Sequence, residues 1–364
     1  MKYVMVLLVP FYRVDKNTIA CEGAFYAHLK ELLPRISEWG DEILIHSPVM
    51  STQTYTDNKH HLAHIDCAAE RIDHVASYAS DISRAKFMLH APFSIWPKIW
   101  QVVKSANVVH SSVSKDIFKL FTFASLFFAV IQGKKTIVVM DIDHRNSAKM
   151  SYQTGKFSYK SYLLCQYVYN PLISLQLRFA SRFCNLLMLK SQKLANDYSK
   201  GRAKVKNFYN TAHDLSIVLS ESALAEKLQR WDNQSNEIKC VYFGRVVGYK
   251  GIDDMILAVK KAAEKLRLAG DVKKISLSII GAGDSEASLK ALVDQHDLHH
   301  IITFCGALNY GEELFSRLRE YDFLLAAPNS EDTPRSVFDA MACGLPMIAY
   351  DTYYYKDLES TGTV

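Results

Sequence analysis

Short apolar runs alternate along the chain with longer stretches whose apolar residues recur every three or four positions. Residues 3–9 read as a strand and 24–38 as a helix, with Phe25, Leu29, Leu32, Leu33 and Ile36 at helical spacing; 42–46 reads as the next strand. Residues 107–110, 136–140 and 184–190 are strand-like, separated by helical stretches near 82–104, 114–132 and 155–182. The stretch 50–80 fits neither period and is left unassigned. A polar segment follows 206–210, with 232–236 as a linker tip, and then the alternation restarts. Strands are expected over 239–243, 275–280, 301–304, 323–326 and 347–350, and helices over 253–268, 286–296, 310–320 and 336–343. Apolar strands joined by amphipathic helices are the pattern of a parallel sheet covered by helices. Its two occurrences predict an α/β chain of two Rossmann-like doubly wound domains, 1–206 and 207–364, alike in architecture rather than in sequence.

A length of 364 residues suits this division, since single domains commonly hold roughly 100 to 200 residues. Ordinary globular composition, 49% hydrophobic and 22% charged, argues against disorder or a coiled coil. The seven cysteines (21, 67, 165, 184, 240, 305, 343) are scattered with no Cys-x-x-Cys pair, which favours reduced thiols and a cytoplasmic location over a disulfide frame or a zinc ribbon. The net charge of +5 is unevenly spread. Residues 1–210 hold 27 Lys/Arg and 15 Asp/Glu, and 211–364 hold 16 and 23, so the first half is basic and the second acidic. A basic half suits an anionic partner or merely a solvated face. No nucleic-acid motif accompanies it, so nucleic acid is not expected as a partner. The opening ten residues read as a buried strand rather than a targeting segment. The apolar run 120–131 is too short to span a bilayer, which takes about 20 residues, and reads as a core helix. The aromatic and basic stretch 156–182 reads equally as a helix packed on the core, interrupted near Pro171, or as a peripheral membrane contact. Neither histidine cluster (60, 61, 64; 296, 299, 300) has a recognised zinc spacing, and no metal site is expected.

Candidate chemistry concentrates in the second half. A strand at 323–326 delivers a polar loop with Glu331, and a helix follows that Gly344 ends and Pro346 prevents from continuing. In open α/β sheets the crevice beyond the strand carboxyl ends receives ligands, and free N–H groups at a helix start, here Arg335, Ser336 and Val337, suit a phosphate. Asp339 lies early in that helix, eight residues after Glu331. Two carboxylates at this spacing also fit a solvated acidic face. Gly244-Arg245 and Lys250-Gly251 flank another strand-to-helix turn, where a planar guanidinium and an ammonium together suit a diphosphate, or simply solvate a capped turn. Gly281-Ala-Gly283 follows a third strand but lacks the third glycine and the later acidic residue of a dinucleotide fingerprint, which disfavours NAD.

Glu331, seven residues, Asp339 and then Ala340-Met341-Ala342-Cys343-Gly344-Leu345-Pro346 resembles the signature of family 4 glycosyltransferases, whose fold is GT-B, two Rossmann-like domains facing across a cleft. The segments at 243–251, 279–286 and 304–308 resemble further elements of that family in the required order. Asp339 stands where the family usually has glutamate, one methylene longer. The resemblance covers 237–351 well and 1–210 loosely.

The resemblance implies transfer of a sugar from a nucleotide diphosphate sugar donor to a hydroxyl of a glycan or lipid-linked glycan acceptor, with retention, without a cofactor or metal. Arg245 and Lys250 would stabilise the leaving diphosphate, Glu331 would contact the donor sugar and Asp339 the ribose. Gly244, Gly281 and Leu308 would approach the nucleotide through backbone. In the first half, Gly23 stands where the family has a Gly-Gly turn, and His144 is a substitute for a histidine absent at Met140; His110 is a weaker candidate. Residues 141–145 and Gly23 would face the acceptor. Two other readings stay open: a non-catalytic sugar-nucleotide or glycan-binding protein, and a nucleotide-sugar epimerase. Family members continue past the last strand with a helix that returns to the first domain, so the second domain is expected to be cut short.

Overall fold

A computed structural model describes the chain except for residues 39–41, 115, 141–143, 154, 156, 210–212, 214, 233–235, 330–334 and 360–364, and except for the side chains of 24, 27, 28, 31, 37, 61, 144–147, 150, 232 and 353. The elements fall into two compact units, 1–141 with 163–208, and 142–162 with 209–364.

In chain order the first part contains β1 (Lys2–Val6), β2 (Tyr12–Arg13), β3 (Thr18–Glu22), α1 (Gly23–Ser37), β4 (Glu42–Val49), α2 (Thr52–Asn58), β5 (Leu62–Asp66) and β6 (Ile72–Ala79). It continues with α3 (Arg84–His90), α4 (Trp96–Ser105), β7 (Val108–Ser111), α5 (Phe121–Ile131), β8 (Lys135–Met140), α6 (His144–Gln153), α7 (Tyr159–Leu164), α8 (Asn170–Phe183), β9 (Leu186–Leu189), α9 (Gln192–Ser199) and β10 (Val205–Asn207). Seven strands form one sheet in the order β10-β9-β8-β7-β1-β4-β6, every neighbouring pair parallel. Alternate strand residues point to opposite faces. Val4, Val6, Leu44 and Val109 pack under α3, α4 and α5, whereas Tyr3, Met5, Ile43 and Ile45 pack against α1.

Several sequence expectations need correction here. The first strand ends at Val6 rather than Val9: Leu7 still donates to the His46 carbonyl of β4, and Pro10, which has no N–H, cannot extend the ladder. The unassigned stretch 50–80 holds α2, β5 and β6, and β5 joins β2 and β3 in a small antiparallel sheet. The strands of this small sheet have two to five residues, too few for a periodic signal. The helical stretch is interrupted near Pro171, as expected, with Pro171 in the first turn of α8. A π-helical turn at Cys165–Tyr169 precedes it, and the wider turn accommodates a residue that lacks an N–H and crowds the carbonyl four residues back. A second π turn, Ala91–Ile95, joins α3 to α4 and contains Pro92.

The second part contains α10 (Glu221–Asp232), β11 (Glu237–Phe243), α11 (Ile252–Leu268), β12 (Lys274–Ile280), α12 (Glu286–Gln295), β13 (Ile302–Gly306), α13 (Glu312–Leu318), β14 (Phe323–Ala326), α14 (Ser336–Ala342), β15 (Met347–Ala349) and α15 (Tyr353–Glu359). Five parallel strands run in the order β13-β12-β11-β14-β15. Cys240 and Tyr242 face α11 and α12, and Val241 and Phe243 face α13 and α14, so both faces of the sheet are covered. The chain builds outward from β11 through β12 to β13 and then crosses to β14, which places a topological switch between β11 and β14. Helix α10 occupies much of what reads as a polar stretch: Ser220 caps it by accepting from the Ala223 N–H, and Lys227 donates to the Cys343 carbonyl.

Candidate functional site

The loops at the carboxyl end of the five-stranded sheet are fixed by backbone contacts. Gly244 donates to the Ile280 carbonyl, Val246 to the Ala282 carbonyl and Ser285 to the Val246 carbonyl, tying the β11 loop to the β12 loop. Asn329 donates to the Tyr249 carbonyl, tying it to the β14 loop as well. These approaches need glycine. A Cβ on Gly281 would stand 1.9 Å from the Gly244 carbonyl oxygen, and one on Gly251 would stand 1.8 Å from that of Ala327. Both glycines also have left-handed or similarly unfavourable φ, 145° and 63°.

A pocket opens where these loops part, at the switch point, lined among others by Gly244, Lys250, Ala326, Pro328, Ser336 and Val337. Four residues singled out from the sequence, Gly244, Lys250, Ser336 and Val337, thus meet in one concavity. Arg335 precedes α14 as its N-cap, and Ser336 and Val337 form its first turn. Arg245 is exposed beside the pocket and donates to the Tyr249 hydroxyl. The Tyr249 ring lies close to both cations, its centroid 5.9 Å from the Arg245 guanidinium and 5.4 Å from the Lys250 ammonium. The buried Tyr242 donates to the Arg245 carbonyl at 2.7 Å, which fixes the backbone from which the guanidinium projects.

Asp339 is only 4% exposed. Its Oδ1 lies 2.7 Å from His213 Nδ1 and accepts from the Tyr310 hydroxyl at 3.1 Å. Phe315 backs this cluster, in edge contact with both His213 and Tyr310. Leu308, on the loop that Gly306 opens, packs half-buried on the core between α13 and α14. Gly281 receives the Gly306 carbonyl on its N–H at 2.7 Å.

Glu331 and residues 141–143 are outside the described residues, and His144 opens α6 with its side chain outside them too. Gly23 is the first residue of α1, entered directly from β3. His110 has the Tyr3 hydroxyl 3.0 Å from its Nδ1. The histidine clusters are engaged with neighbours: His64 with the Tyr55 hydroxyl, His299 with Asp294 and His296 with Lys260. Burial pushes the thiols of Cys21 and Cys240 up to about 12, so neither is a thiolate near neutral pH. Sequence reasoning missed Tyr249, His213 and Tyr310. Tyr249 was detectable as an aromatic between two candidate cations, whereas His213 lies 126 positions from Asp339 and carries no local signal.

Residues 225–363 match the family model "Glycosyl transferases group 1". No curated protein matches the chain in sequence. Among solved structures, Alr3699/HepE of Anabaena in complex with UDP and glucose is 16% identical over 98% of this chain and 83% of its own, with a TM-score of 0.54. WaaG, a glycosyltransferase involved in lipopolysaccharide biosynthesis, is 12% identical over 99% of this chain and 84% of its own, at 0.58. A glycosyltransferase from Rickettsia africae is 14% identical over 96% and 79%, at 0.54. At such identities the likeness concerns the fold, a pair of Rossmann-like domains of the GT-B type. The family model thus matches the part of the chain that carries the five-stranded sheet and its pocket, and the GT-B architecture is shared over nearly the whole chain.

Proposed function

We propose that the protein transfers a sugar from a nucleotide diphosphate sugar to a hydroxyl of a glycan or lipid-linked glycan, with retention, in polysaccharide or glycolipid biosynthesis. The observation that carries this reading is the switch-point pocket, where Lys250 meets the Gly244 backbone and the first turn of α14. Residues 207–364 bind the donor, and residues 1–206, around Gly23 and 141–145, receive the acceptor. UDP and glucose in the HepE structure and the role of WaaG in lipopolysaccharide biosynthesis support the donor class and the cell-surface setting.

In the transfer, the bond from the anomeric carbon to the diphosphate breaks and a bond to the acceptor oxygen forms on the same face. The acceptor proton leaves with the diphosphate oxygen. Arg245 and Lys250 oppose the charge that grows on that oxygen, and Tyr249 positions them, Arg245 through its hydroxyl and Lys250 through its ring. Glu331 orients the donor sugar, His144 serves as the substitute for the histidine absent at Met140, and Asp339 holds the ribose. No cofactor or metal enters this scheme. The setting is the cytoplasm at the inner face of the cell membrane; among the described residues, no helix is long and apolar enough to cross it.

The test is a panel of UDP-, GDP- and ADP-sugars, read by thermal shift and then by transfer. Arg245→Ala with Lys250→Ala lowers turnover on the stabilising donor by about a hundredfold or more while the unfolding midpoint holds. Near-normal transfer by the double variant sinks the proposal.

A further inference from the structure

In the first unit, the helices covering one face of the large sheet present an unusual outer surface. Helices α4 and α5 pack side by side, and α8 meets α5 through aromatic rings. A chain of ring contacts crosses all three helices, from Trp100 to Phe128, Phe127, Phe179 and Phe183, at centroid separations between 5.0 and 6.1 Å. Trp100, Phe127 and Phe183 are exposed, and the apolar stripe continues along the helices through Phe93 and Trp96, through Ile131, and through Leu172 and Leu175. Both π turns place an aromatic outward: Phe93 is 82% exposed and Tyr167 74%. The inward positions of the same helices, such as Ile99, Val103, Leu126 and Leu177, are fully used by the core. The outer stripe therefore contributes nothing to that core, and an apolar surface of this extent marks an interaction site.

Its charge is one-sided. From Arg84 to Phe183 the carboxylates are Asp116, Asp141 and Asp143, and none belongs to α3, α4, α5, α7, α8 or the π turns between them. Exposed Lys86, Lys104, Lys135, Arg178 and Arg182 accompany the stripe, and the Arg182 guanidinium lies 5.8 Å from the Phe183 ring. Aromatics flanked by long cations, on helices that carry no carboxylate and with Asp116 paired to Arg84 at 2.9 Å, suit the boundary of an anionic bilayer: the rings enter the headgroup layer and the cations meet lipid phosphates. A protein partner would need an acidic face of matching extent.

We propose that the outer face of α3–α4, α5 and α8 docks on an anionic lipid surface. The surface rests on the reading of a lipid-linked acceptor and names the surface on which that acceptor would be met. Docking here is peripheral, since these helices lie on their own sheet and give their inner sides to its core.

The experiment is co-sedimentation of the full chain with vesicles of phosphatidylcholine alone and of an equimolar phosphatidylcholine–phosphatidylglycerol mixture. The chain sediments with the mixed vesicles and not with the neutral ones, and added salt releases it. Phe93→Ser with Leu175→Ser, and separately Lys104→Glu with Arg178→Glu, each lower binding by roughly tenfold or more. All four side chains are exposed, so unchanged unfolding midpoints verify that the fold is kept. Failure of the wild type to bind, or variants that bind equally well, overturns the proposal. So does a dimer in sedimentation velocity that the same variants dissociate, which assigns the face to a second copy. Transfer to a short water-soluble acceptor is measured in parallel. Binding without transfer breaks the proposed function and leaves the docking face standing, and transfer without binding does the reverse.

Discussion

The two large sheets share one plan, parallel strands built outward in both directions from a first central strand, yet they use glycine differently. Gly133 and Gly201, in the unit of the seven-stranded sheet, sit in turns where an added Cβ meets nothing within 4 Å. The five-stranded sheet's unit has open glycines of that kind too, Gly270, Gly306 and Gly311, but at its strand ends added Cβ atoms on Gly251, Gly281 and Gly283 fall 1.8 to 2.2 Å from backbone oxygens. The first set serves local chain reversal. The second lets three loops converge until main chain touches main chain, which leaves the pocket bordered by rigid peptide groups. The lesson is that a pocket of this kind is shaped by what the side chains leave out, whereas the unit of the seven-stranded sheet presents its distinctive chemistry as side chains on the outer face of helices.

The sharpest way to break this contrast is to add one methyl group to each kind of glycine. Gly281→Ala forces the Gly244 carbonyl to move and keeps an unfavourable φ, so a loss of about 4 kcal/mol or a failure of the unit to fold is expected. Gly201→Ala meets open space and bears only its φ of 78°, at about 1 kcal/mol. Urea unfolding of both variants measures the difference. Equal losses would show that the converging loops are not under the constraint argued here.

The same contrast explains what sequence alone could supply. In the five-stranded sheet, apolar strands and the glycines at their ends lie in contiguous segments, so strands near 239–243, 275–280 and 323–326 and the residues Gly244, Lys250, Ser336 and Val337 were legible from short windows. Helix α10 was not, because its apolar positions are sparse and Leu224 and Leu228 stay exposed. The β2-β3-β5 sheet was hidden by strands of two to five residues. The π turns differ from α-helix by a single residue, which no periodicity resolves. His213 and Tyr310 reach Asp339 only through tertiary folding, from positions 126 and 29 residues away.

A second test turns on buried side chains of the first unit. His46 and His74 sit on neighbouring strands β4 and β6, His46 with Nδ1 2.9 Å from the Val75 carbonyl and His74 with Nε2 3.0 Å from the Ser47 hydroxyl. Burial pushes each imidazole down from 6.5 to about 4, and for His74 the Arg13 charge adds to the effect. Between these values the unfolded chain takes up a proton that the folded chain refuses. Stability is therefore complete above about pH 6.5 and declines as pH falls towards 4, by about 2 kcal/mol per histidine at about pH 5. Chemical denaturation across this window checks the slope. A flat profile would mean that the histidines are accessible, and the first unit would lose its claim to a dry interior beneath β4 and β6.

The smallest effect asks whether any side chain in the second unit matters as its backbone does. Asp339 is buried, and its Oδ1 takes both His213 Nδ1 and the Tyr310 hydroxyl, so removing one donor leaves the other in place. Tyr310→Phe deletes a neutral donor at 3.1 Å while keeping the ring against Phe315, and a loss of about 1 kcal/mol is expected. His213→Ala should cost more, because it also vacates a largely buried site and its edge contact with Phe315. Donor binding separates a structural cluster from one that holds Asp339 towards a ligand. If the two substitutions weaken donor binding in proportion to their effect on stability, the cluster is scaffold. If Tyr310→Phe weakens donor binding severalfold with stability almost unchanged, the Asp339 carboxylate is being aimed, and the pocket depends on side-chain positioning as well as on its glycine-bordered backbone.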